Sequence, residues 1–177
     1  MSPQSDLATE NPAATSDREI VLTRVFEAPR ELVFKAWSEE EHLARWWGPV
    51  GCVIRIRGLD FRPGGVFHYS MTTPDGQEMW GKFVYREIVE PERIVFVNSF
   101  ADGSANTVRA PFSADWPLDT LSTLTFEAQG GKTKLTLHGV PLTTSEAERR
   151  MFEGMFDSMN QGWNGTLDQL ADHLAQA

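Results

Sequence analysis

The C-terminal third of the chain sets the strongest constraint on its fold. From Ser145 to about His173, Phe152, Met155, Met159, Trp163, Leu167, Leu170 and Leu174 return every three or four residues, tracing one apolar stripe along a helix. At 1.5 Å per residue such a helix reaches about 45 Å, longer than a small domain is wide. Its apolar face needs cover along its whole length. The candidates are the strand-like runs between Val50 and His138, so the pattern predicts an α+β protein in which a curved antiparallel sheet wraps around a long C-terminal helix. Such a shape leaves room for an apolar cavity between sheet and helix.

The punctuation of the chain supports that layout. Glu19 to Glu27 alternates polar residues with Ile, Val, Leu and Phe, as a first strand does. Two short helices follow: one opening at Pro29 with Leu32, Val33, Ala36 and Trp37 on its apolar face, the other running from a Ser38/Glu41 capping box to about Trp47. Strands are then expected over 50–61, 66–73, 77–90 and 93–101. The Arg62-Pro63-Gly64-Gly65 segment has the residues of a type II turn, and Asp75-Gly76 those of a primed hairpin turn. A connection over 102–117, carrying Phe112 and Trp116, is long enough to suggest a functional or mobile element. Strands over 121–128 and 132–139 meet at Gly130-Gly131, and Ser145 with Glu148 forms a capping box at the start of the long helix. Residues 1–17 hold no aromatic side chain and are expected to be a disordered tail, leaving 18–177 as a single domain.

Charge and composition exclude several classes of function. The net charge is −9, from 16 Lys and Arg against 25 Asp and Glu, and no run of basic residues gathers phosphates, so nucleic acid is not an expected partner. No apolar run is long enough to span a membrane and no signal peptide is visible, which leads to an expectation of a cytoplasmic protein. Cys52 stands alone and reads as a small apolar strand residue. His42, His68, His138 and His173 are widely spaced and match no metal motif; His173, near a helix C-terminus, reads as a surface residue. Neither a nucleophile elbow nor a phosphate- or dinucleotide-binding loop is present, so no cofactor and no metal are expected.

What remains is an inventory suited to an apolar pocket. The candidate lining residues are Trp46, Trp47, Phe67, Tyr69, Trp80, Phe83, Phe96, Phe100, Phe112, Trp116 and Trp163, with Met155 and Met159 on the helix as adaptable apolar contacts. Phe112 and Trp116 are placed at the mouth, since they sit on the long connection. Asn98 shares a strand face with Ile94, Phe96 and Phe100 and is the polar residue that most needs a partner. His68 alternates with Phe67 and Tyr69 and is expected to point away from them. Glu78, Arg86 and Arg109 read as solvated charges. Gly154, Gly162 and Gly165 each cost about 1 kcal/mol in a helix, which is explained by close strand approach or by space left for a ligand. No catalytic residue is assigned.

The ordered set Ala28-Pro29 through Ala36-Trp37, Trp46-Trp47-Gly48-Pro49, Arg62-Pro63-Gly64-Gly65, Gly81, Pro91-Glu92-Arg93-Ile94 and Gly162-Trp163 resembles the SRPBCC or START-like superfamily, in its activator-of-Hsp90-ATPase branch, over about residues 19–175. The resemblance implies a helix-grip fold with its cavity between sheet and C-terminal helix. It implies no single activity, since relatives include lipid carriers, aromatic cyclases, resistance proteins and co-chaperone domains. The expected function is binding of a small hydrophobic or aromatic molecule by a non-catalytic carrier, sensor or sequestering protein. The alternatives are an enzyme of the polyketide cyclase or dehydrase type, using Asn98 or His68, and a co-chaperone-type domain with a protein partner.

Overall fold

The computed structural model describes residues 19–176; the expected tail lies outside them. In chain order the elements are β1 (Ile20–Phe26), α1 (Arg30–Ser38), α2 (Glu40–Trp46), β2 (Val53–Leu59), β3 (Val66–Thr72), β4 (Glu78–Val89), β5 (Arg93–Ala101), β6 (Thr120–Gln129), β7 (Lys132–Pro141), α3 (Glu146–Gly154) and α4 (Phe156–Gln176). The strands form one antiparallel sheet in the order β1-β7-β6-β5-β4-β3-β2. Each of β2 to β7 pairs with its neighbour in sequence, while β1 closes on β7 with Ile20 opposite Gly139 and Phe26 opposite Thr133. The helices pack against one face, giving the α+β helix-grip arrangement.

Alternation decides which face that is. On β7, Thr133, Leu135, Leu137 and Gly139 are buried, while Lys134, Thr136 and His138 between them are partly exposed. Two bulges, after Ile56 in β2 and after Tyr85 in β4, each insert an extra residue and bend the sheet toward the helices. The β6–β7 hairpin turns on Gly130 and Gly131, both at positive φ, as a two-residue primed turn requires. The expected type II turn is also present, with Gly64 at φ +84° and the Gly65 N–H donating to the Arg62 carbonyl. A Cβ on Gly65 would sit 2.0 Å from the Asp60 carbonyl oxygen, so no larger residue fits there. At Asp75-Gly76 only Gly76 has positive φ, which rules out the primed turn expected there.

Three helical expectations are corrected. Pro29 is the cap of α1 rather than its first residue. Ser38 is the last residue of α1, its hydroxyl donating to the Lys35 carbonyl, so it cannot cap the next helix; the extended residue Glu39 starts α2 with no side-chain bond. The single long helix is divided. Helix α3 ends at Gly154 and Met155 leaves helical geometry at φ −103° and ψ 10°, after which α4 runs 21 residues, about 31 Å. The break follows from a glycine of low helix propensity where the chain changes support: α3 packs on β7, whereas α4 packs on β1, α1 and α2. Ser145 caps α3 by accepting from the Glu148 N–H.

A solid aromatic core fills one end of the interface. Phe83 stacks on Phe96 at 4.0 Å between centroids and 15° between planes, and Trp47, Phe67, Tyr69 and Tyr85 gather around them. Beneath α1 and α2, Trp37 meets Trp46 edge to face, and the Trp46 indole N–H donates to the Ala36 carbonyl at 2.9 Å.

Candidate ligand cavity

At the other end of the same interface, sheet and helix part. The inward faces of β5, β6 and β7 form a floor with Asn98, Phe100, Thr120, Ser122, Leu137 and Gly139, while Phe152 of α3, Met155 at the break, and Ser158, Met159, Gly162 and Trp163 of α4 form a roof. They enclose about 400 Å³, within the range of small-molecule sites. Trp47 and Trp163, with centroids 5.6 Å apart, separate this space from the solid core. The opposite wall is a chain of rings, Phe100 to Phe112 to Trp116 to Phe152, each 5.6–5.8 Å from the next.

Of the residues singled out from sequence, Trp47, Asn98, Phe100, Phe112, Trp116, Met155, Met159 and Trp163 lie on the cavity wall. Trp46, Phe67, Tyr69, Phe83 and Phe96 face inward but are consumed by the core, where neighbouring rings leave them no free face. Trp80 is on the wrong side of the sheet. It is three residues from Phe83 on the same strand, and an odd separation puts the two on opposite faces. There it stacks on His68, which points outward as alternation predicts and meets the Asp102 carbonyl at 2.9 Å. Arg57 lies over the same indole, and Arg55 of the same strand and Lys82 of β4 share this outer face, a basic cluster that forms only when β2 and β4 are brought to either side of β3.

The polar pole of the cavity is on the floor. The Asn98 amide donates to the Lys82 carbonyl only at the 3.5 Å limit, and Thr120 donates to the Asn98 carbonyl at 3.3 Å. Ser122 is 6% exposed and lines the cavity beside them. Behind Asn98 lies the Tyr69 hydroxyl, for which Gly81 makes room: a Cβ there would come within 2.6 Å of it. Burial pushes the Tyr69 phenol up to about 12, against the weaker pull of the Asn98 and Trp47 side chains. Burial drives Tyr85 upward as well. Both phenols therefore stay neutral at ordinary pH.

The connection over 102–119 is held to the sheet by the Lys82 ammonium, which donates to the Ala105 carbonyl at 2.9 Å, and to α3 by Arg109. Arg109, read from sequence as a solvated charge, bridges the Glu148 carboxylate on α3 at 2.9 Å and the Trp116 carbonyl at 3.1 Å. Hydrogen bonding to Thr143 and the Arg109 guanidinium hold the Glu148 carboxyl below its usual range. Phe112 stays 53% exposed at the rim. Of the helix glycines, Gly162 borders the cavity with no atom within 4 Å of the point where a methyl group would sit, whereas at Gly165 that point lies 3.0 Å from Val50. The first fits ligand space and the second close packing. His173 is not the surface residue expected: its Nε2 lies 2.7 Å from Nδ1 of His42, joining the end of α4 to α2. Its pKa is lowered, first by burial and then by repulsion from His42 and Arg45.

Among the described residues no group of three or more His, Cys, Asp or Glu is arranged for a metal ion, and no helix is long and apolar enough to cross a membrane.

Residues 27–175 match the family model described as activator of Hsp90 ATPase homolog 1-like protein. The fold is shared with solved structures of bacterial proteins. One from Arthrobacter aurescens is 25% identical, with 91% of this chain and 88% of that one covered at a TM-score of 0.75. One from Staphylococcus epidermidis is 27% identical, with 90% of each covered at 0.70. One from Mycobacterium smegmatis is 24% identical, with 90% and 92% covered at 0.74. Among curated proteins, none matches the chain significantly.

Proposed function

The chain belongs to the family of activator of Hsp90 ATPase homolog 1-like proteins, and from that premise we propose that it binds a small hydrophobic or aromatic molecule between sheet and C-terminal helices, as a non-catalytic carrier, sensor or sequestering protein. The observation that carries this reading is the cavity of about 400 Å³, walled by Trp47, Phe100, Phe112, Trp116, Phe152, Met155, Met159 and Trp163. Rings supply broad contact area, and the two methionines adapt to an irregular guest. The cyclase or dehydrase alternative is weaker, because His68 lies on the far face of the sheet and Asn98 does not exchange protons near neutrality.

A thermal-shift series with apolar ring compounds tests the proposal. A ligand at 100 times its dissociation constant adds about 2.7 kcal/mol to stability. Gly162→Phe, which places a ring in the cavity, abolishes that gain while the protein remains folded by circular dichroism. Equal gains in both proteins would place the ligand elsewhere.

A further inference from the structure

We propose that the cavity selects against net charge: its guest is an uncharged, mainly apolar molecule carrying one hydroxyl or carbonyl group, seated over Asn98 and Ser122. This rests on the cavity reading above and names the chemical class that the site accepts. No described residue lining the space carries an ionisable side chain. At the rim, Arg109 is already neutralised by Glu148 at 2.9 Å, and α4, whose N-terminus borders the roof, carries Asp157 in its first turn. A carboxylate or ammonium entering the cavity would lose hydration with no counter-charge in return, and an uncompensated buried charge is far more costly than a buried hydroxyl or carbonyl.

The floor, by contrast, asks for one polar atom. Ser122, 6% exposed, lines the cavity with its hydroxyl, and beside it the Asn98 amide reaches the Lys82 carbonyl only at 3.5 Å and bonds the Tyr69 hydroxyl behind it. In the β5–β6 register Asn98 faces Thr120 and Phe96 faces Ser122, so the two side chains are diagonal neighbours on one face, about 7–8 Å apart. A single oxygen between them can accept from both. Buried polar groups are nearly always paired, and a guest bearing that oxygen completes the pairing.

The test uses four anthracenes of one shape: 2-ethylanthracene, 2-acetylanthracene, anthracene-2-carboxylate and 2-(aminomethyl)anthracene, titrated at pH 8 by fluorescence. The ketone is expected to bind more tightly than the hydrocarbon, and the carboxylate and the ammonium at least tenfold more weakly than the ketone. The apparent affinity of the acid should rise about tenfold for each pH unit lowered from 8 to 6, because only its neutral form enters. Ser122→Ala and Asn98→Leu should each narrow the ratio of ketone to hydrocarbon affinity, and together bring it to about one. Carboxylate or ammonium binding within tenfold of the ketone, or a ketone preference that survives both substitutions, overturns the inference and leaves the cavity reading standing. Failure of all four, hydrocarbon included, overturns both.

Discussion

The two ends of the sheet–helix interface lie on one face of the same sheet and behave differently. Under α1, α2 and the C-terminal half of α4, large rings meet other rings: Phe83 on Phe96, Trp37 on Trp46, Phe67 on Tyr69. Under α3 and the first turns of α4, the floor offers Asn98, Thr120, Ser122 and Gly139, and the roof offers Ser158 and Gly162. Small and polar residues cannot fill the width that rings fill, so the space stays open. The contrast shows that the cavity is a property of residue size and helix cover at one end, not of the fold as a whole.

The largest test of that contrast pairs two phenylalanines. Phe83→Ala, at 2% exposure in the solid end, should cost about 3–5 kcal/mol in urea unfolding. Phe100→Ala, whose ring already borders empty space, should cost less than about 2 kcal/mol and weaken ligand binding instead. Equal losses at the two sites would erase the distinction. Next come the helix glycines. Gly162→Ala should stabilise by up to about 1 kcal/mol, since its methyl meets nothing, whereas Gly165→Ala, pressed against Val50, should give little or no gain. Thermal melts of the two variants measure this directly.

A smaller effect is expected at the rim. The Arg109–Glu148 pair is partly exposed, so Arg109→Ala should change stability by less than about 1 kcal/mol. It also releases the Trp116 carbonyl, so ligand dissociation, followed by stopped flow, should accelerate more than stability falls. The smallest effect lies at the solid end. Because the His173 pKa is held below its ordinary 6.5, the unfolded chain takes up that proton first, and stability is lost as pH falls below 6.5 toward the folded-state value. His173→Gln should flatten that part of the stability–pH curve, while the carboxylates with lowered pKa, such as Glu148, act only at more acidic pH.

Much of this architecture is legible from periodicity and turns. All seven strands, the two short helices and the helix-grip layout follow from alternation, the 3.6-residue stripe and the Gly and Pro positions. The break at Met155 does not, because Phe152, Met155 and Met159 keep the helical spacing straight through it. Alternation alone excludes Trp80 from the cavity, and only a count of rings that ignores faces brings it in. Telling Phe83 from Phe100 requires knowing which half of the sheet α1 and α2 cover, a tertiary fact that no local pattern carries. The same holds for Ser122 and Gly139, small residues that matter because of what stands opposite them, and for the Arg109–Glu148 and His42–His173 contacts between distant segments.

The six tryptophans offer the most direct test, since Trp47, Trp116 and Trp163 border the cavity while Trp37, Trp46 and Trp80 do not. In a proton–nitrogen NMR titration with 2-acetylanthracene, the indole N–H signals of the first three should shift together and saturably, with those of the second three nearly still. Shifts led by Trp37, Trp46 or Trp80, or no shift at any indole, would contradict a guest site at the open end.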